Sequence, residues 1–241
     1  IGETKAFLTA RLAIMTAALL WKRPSKALEG FGLLIDGDRQ LVSTVSHSKD
    51  CEILTSSRSA RKLKGSTWMS AGEWPSLWGG SDWLSRPCGM ALEAFADGKM
   101  PASRTSLSRT IFLALWWFYE ACGSDSDLMA TVKFGAVLDV LAGGKSNAGI
   151  ERMIESLLMV PRGKPITYDG ETVRMLVSRI YGDGRSRTLH GLNDRFGHDW
   201  SYTRDIGERI ARDCLVRTLE WVNRNPEAED LPDYFARRSI A

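Results

Sequence analysis

Cysteine is scarce: Cys51, Cys88, Cys122 and Cys214 are the four in 241 residues, far apart and with no Cys-x-x-Cys pair. This spacing excludes a disulfide framework and a zinc knuckle, and it fits a reducing cytoplasm. A membrane-length apolar run is missing as well. The longest near the start, Leu12 to Trp21, is bounded by Arg11 and Lys22 and falls short of the about 20 residues that cross a bilayer. No small-residue cleavage site follows Trp21, so no signal peptide is expected. The chain opens at Ile1 rather than methionine, which admits further residues upstream. Histidine is limited to His47, His190 and His198, and no carboxylate or histidine cluster offers metal ligands. A phosphate-binding loop is absent too. Gly143-Gly-Lys-Ser146 follows a helix and has Asp139 where that motif needs glycine, so it reads as a helix end. Neither a metal nor a cofactor is expected.

Lysine stops at Lys164, and every basic residue beyond it is arginine, the side chain suited to planar, bidentate phosphate recognition. The net charge of +3 permits nucleic-acid contact without requiring it. With 44% hydrophobic and 25% charged residues the chain has material for a sizeable core.

Helix signals open the chain, from Glu3 to Lys22, ended by Pro24. A hairpin signal follows: Gly32–Ile35, the turn dipeptide Asp36-Gly37, then Arg39–Val45. Trp68, Trp74, Trp78 and Trp83 then stand among Gly, Ser and Pro. In such a loop, aromatics serve either to pin irregular chain to a core or to stack on bases. Beyond Pro101 the punctuation is helical. Leu107–Cys122 is apolar nearly all round and predicts a central buried helix. A second helix, capped by Ser124 or Asp125, runs to Leu141; a third runs from Asn147 to Met159; a fourth, capped by Asp169, runs to Tyr181; a last spans Tyr202–Arg224. Short connections make this an antiparallel bundle. The fold expected is mainly α, with residues 1–100 as a small α/β region containing a hairpin and residues 101–241 as a helical domain.

The most informative stretch is Tyr181-Gly-Asp-Gly-Arg-Ser-Arg-Thr-Leu-His190-Gly. Five residues on a regular helix turn about 140°, so Arg185 and His190 converge only if Gly182 and Gly184 bend the chain. An imidazole that moves protons near neutral pH and a fixed cation for charge on phosphorus are what metal-free RNA cleavage needs. By residue type alone the same pair reads equally as solvated or capping groups. His198, beside Asp199, is a weaker candidate of the same kind, and His47 weaker still.

Arg185-Ser186-x-x-x-His190-Gly191, preceded by Tyr181 and followed by an arginine-rich amphipathic helix, resembles the Arg-x4–6-His signature of the HEPN superfamily, most closely its Apea-like branch. The resemblance covers roughly residues 107–224. It implies a helical, metal-independent endoribonuclease of defence, toxin or stress systems, dimeric so that two Arg/His sets share one cleft. In that reading Arg185 stabilises the scissile phosphate and His190 transfers protons. Ser186 stands where many active members place another polar residue, and Tyr181 either lines the cleft or is a core tyrosine. RNA is the implied partner; Arg174, Arg179, Arg187 and Arg195 surround the motif and either hold RNA phosphates or are solvated helix residues, and residues 1–100 serve recognition, regulation or a partner protein. The alternative is a non-catalytic module of the same fold that dimerises or binds nucleic acid.

Overall fold

A computed structural model describes residues 2–28, 41–47, 53–60, 73–98, 105–195 and 197–231. Strong helix formers build α1 (Glu3–Ala18), which stops at the cap residue Leu19, ahead of the expected Lys22. Pro24 opens the short α2 (Pro24–Leu28), the position where a missing N–H costs nothing. Strand β1 (Leu41–His47) pairs antiparallel with β2 (Ile53–Ala60), with a bulge between Ser46 and His47. The expected first strand, Gly32–Ile35, and its Asp36-Gly37 turn lie outside the described residues, as does Trp68.

The tryptophan-rich stretch departs from the loop reading. It forms α3 (Glu73–Trp78) and α4 (Asp82–Asp97), the latter closed by Gly98 in the left-handed conformation at φ 65°. Trp78 and Trp83 pack on the core, the pinning use of an aromatic.

Then come α5 (Thr105–Cys122), α6 (Asp127–Leu141) and α7 (Ser146–Leu157), followed by α8 (Val173–Val177), a π-helix over Ser178–Ser186, the single turn α9 (Arg187–Leu189) and the long α10 (Ser201–Arg224). Ser126, not Ser124 or Asp125, caps α6 by accepting the Met129 N–H at 3.3 Å. The central helix is α6 rather than α5. Its residues from Leu128 to Leu141 are buried on nearly every side, and α5, α10 and the π-helix all pack on it. Residues of α6 are mostly small or medium, and Gly135 lets the π-helix come close. In α5, by contrast, Phe112, Trp116, Trp117 and Tyr119 are too bulky for full enclosure and stay half-buried at the rim.

The core does not divide near Pro101. Leu12, Met15 and Leu19 of the first helix and Leu84 and Cys88 of α4 join one cluster with Phe118, Phe134, Ile180 and Leu215. Polar ties repeat the connection. Arg212 on α10 donates to the carbonyls of Leu19 at 2.8 Å and Trp21 at 2.6 Å. The buried Glu208 accepts from the Ser25 N–H at 2.8 Å and its hydroxyl at 2.7 Å. The α1, α2 and α4 helices therefore belong to the same bundle as the later ones. Among the described residues no helix is long and apolar enough to cross a membrane.

Candidate functional site

Thr172 starts the motif-bearing helix by accepting the Met175 N–H at 3.4 Å. Asp169, the expected cap, instead accepts the Tyr202 hydroxyl at 2.6 Å, a bond that pushes the phenol's pKa up. The helix does not end near Tyr181. It widens into the π form over Ser178–Ser186, where each N–H reaches back five residues rather than four, and then continues to Leu189.

Gly182 and Gly184 were expected to bend the chain. The structure uses them within the π segment, and Gly184 for close approach: a Cβ there would lie 2.9 Å from Thr131 Cγ2 on α6. Gly135 reciprocates, since its own Cβ would lie 3.2 Å from Arg185 Cβ. The two glycines seat Arg185 directly on α6.

There the Arg185 guanidinium pairs with Asp139 at 2.9 Å and lies 4.9 Å from the centre of the Tyr181 ring. Its side chain is only 23% exposed. The pair is not a fork. Arg185 Nε and Asp139 Oδ1 are both buried without a hydrogen-bond partner. Asp139 was not among the expected site residues. Nothing local could have singled it out, because its role arises only where α6 crosses the π-helix.

His190 occupies the opposite setting. It is the C-cap of α9, and Gly191 beyond it is left-handed at φ 67°. The Gly191 N–H donates to the Thr188 carbonyl at 3.2 Å and the Leu192 N–H to the Arg187 carbonyl at 2.8 Å, the paired bonds of a Schellman ending. His190 is exposed, between the exposed Leu189 and Leu192. Within one chain no hydrogen bond or ion pair joins Arg185 to His190 among the described residues. Ser186 contributes its carbonyl, which accepts the His190 N–H at 3.1 Å.

The surrounding arginines are already engaged by carboxylates. Arg179 pairs closely with the buried Glu171. Arg187 donates to Asp194 at 3.4 Å and to the Leu192 carbonyl at 3.3 Å. Arg195 reaches Asp183 at 3.2 Å. Buried Asn193 folds the following loop back, donating to Thr188 at 2.7 Å and accepting from the Arg195 N–H at 2.9 Å. Trp200 closes the loop, its indole N–H on the Arg195 carbonyl at 3.0 Å and its ring packed with Leu128 and Val132.

His198 stands edge-on to Trp200 at 5.6 Å. Asp199 serves the start of α10, where it accepts the Ser201 N–H at 2.9 Å, and this bond holds its carboxyl below the usual range. A groove of about 740 Å³ opens here, between α8, the π-helix and the start of α10. A smaller one of about 440 Å³ lies beside Arg23, Tyr168 and Arg209. No group of His, Cys, Asp and Glu among the described residues is arranged to hold a metal. Comparison with family models, with curated proteins and with solved structures finds no match for the chain.

Proposed function

We propose that this chain is a metal-independent endoribonuclease of the HEPN type, acting in a defence, toxin or stress system of the cytoplasm. The observation that carries the reading is the mounting of Arg185. An arginine held by an ion pair and an aromatic ring, with a buried donor left over, is a preorganised cation, and His190 is exposed just beyond it on the same helix. Because no hydrogen bond or ion pair joins the two within one chain, the proposed site is composite, with two copies of the chain presenting their Arg/His sets to one RNA strand.

The chemistry needs no metal. The 2′-hydroxyl gives its proton to a base and its oxygen attacks phosphorus. The P–O5′ bond breaks, and the departing 5′-oxygen takes up a proton. The ends are a 2′,3′-cyclic phosphate and a 5′-hydroxyl. His190 is assigned the proton transfers and Arg185 the charge that builds on the phosphoryl oxygens. Ser186 and Tyr181 support the arginine's turn of helix.

The test is cleavage of RNA by the purified chain. His190→Ala is expected to lower the rate about 10²- to 10⁴-fold and Arg185→Ala about 10²- to 10³-fold, with both variants still folded. A substrate carrying a single 2′-deoxy sugar at the cut site should resist. Unchanged cleavage in either variant, or cleavage of the deoxy substrate, overturns the assignment. A second reading, a non-catalytic dimerising or nucleic-acid-binding module, is favoured by Asp139, whose carboxylate neutralises Arg185. Under that reading RNA is bound with a steep salt dependence and never cut.

A further inference from the structure

The 740 Å³ groove has a feature that the catalytic reading does not use. Three carboxylates line it, and two of them are ion-paired to arginines. Glu171 holds Arg179 and accepts the Tyr202 hydroxyl at 3.3 Å, Asp183 holds Arg195, and Asp199 accepts the Ser201 N–H at 2.9 Å. Asp199 stays exposed and charged, and beside it the groove offers arginine and aromatic groups. Arg174 is exposed, and neither it nor His198 takes part in an ion pair among the described residues. The Arg195 side chain is 51% exposed despite its partner. Tyr202 is 43% exposed, and the Arg179 guanidinium, itself part of the groove lining, lies over the ring at 5.4 Å from its centre.

We propose that this groove binds a segment of single-stranded nucleic acid, with a base stacked on Tyr202 and the flanking phosphates taken by Arg174 and His198. The groove sets a stacking surface, Tyr202, beside an exposed cation, Arg174. An aromatic ring reads any base through its π face, and a cation beside it such as Arg174 takes the backbone, which is how single strands are held without sequence preference. Duplex is disfavoured, because its bases already stack on one another and cannot reach the ring. Arg179 lies over the ring, with its charge paired to Glu171. The groove's volume falls in the range of nucleotide-sized sites. This site is separate from Arg185 and His190, and it rests on the nuclease reading only for the natural strand being RNA.

Fluorescence anisotropy with a labelled oligodeoxythymidine tests it, since a strand lacking 2′-hydroxyls binds without being cut. Tyr202→Ala is expected to weaken binding about tenfold, whereas Tyr202→Phe, which keeps the ring, should bind like the parent. Arg174→Glu should weaken binding at least tenfold, and Arg174→Ala should lower the slope of log affinity against log salt by about 0.7. Binding as tight to a duplex of the same length, no binding by the parent chain, or equal binding by Tyr202→Ala overturns the proposal. If RNA is cut, Arg174→Ala should raise KM with kcat kept. If no RNA is cut, the nuclease reading falls while the oligodeoxythymidine result still decides the groove.

Discussion

Asp139 and Arg185 show how much one pair can carry. The pair is held by a single N–H···O contact, with Arg185 Nε and Asp139 Oδ1 buried and unsatisfied. Removing the acid leaves a largely enclosed cation without a partner. Asp139→Ala is therefore expected to cost about 1–3 kcal/mol of stability, read as a lower urea midpoint at unchanged slope. Arg185→Met in the same background should recover part of it, because the stranded charge is then gone. The cysteines give a second residue-scale test. Burial pushes the Cys88 thiol up to about 12 and raises Cys122 and Cys214 well above the ordinary range. A thiol kept protonated is a poor nucleophile. These three should stay unlabelled by iodoacetamide at pH 8 in the folded protein and label together on unfolding, which peptide mapping can follow.

At the scale of elements, the contact between α6 and the π-helix decides where the motif sits. Gly184 leaves no room for a side chain against Thr131 Cγ2. Gly184→Ala should cost about 1–3 kcal/mol through overpacking, and Thr131→Ala in the same chain should return most of that loss if the clash is the cause. Urea unfolding of the single and double variants completes the cycle. A failure of the second change to help would mean that the π geometry itself, not the contact, rejects the methyl group. The motif's histidine is governed by another local device. Gly191 at positive φ ends α9 just after His190, so His190 belongs to a helix terminus and not to the start of one.

For the whole molecule, the shared core makes a fragment prediction. A chain of residues 102–241 would expose the faces that α1 and α4 cover and would lose the anchors of Arg212 and Glu208 on the first segment. Such a fragment is expected to unfold without a cooperative transition in urea, monitored by circular dichroism, while residues 2–231 unfold with one. A cooperative fragment would mean that the later helices close a core of their own.

Periodicity along the chain was enough for most of the later helices, because an apolar stripe such as Ile206, Ile210, Cys214, Leu215, Leu219 and Val222 repeats at the helical spacing and is buried as that spacing demands. Local chemistry also marked Arg185 and His190 as unusual, through their types and the glycines between helices. What no local pattern holds is the outcome of competition between distant surfaces. The glycine pair that seats Arg185 on α6, its pairing with Asp139, the engagement of Arg179, Arg187 and Arg195 by carboxylates, and the inclusion of α1 and α4 in one core all depend on which helix faces are pressed together. Sequence spacing determines which face of a helix is apolar. Only close packing decides which charges that face brings into reach of one another, because ion pairs and steric fit act over a few ångströms between residues far apart along the chain.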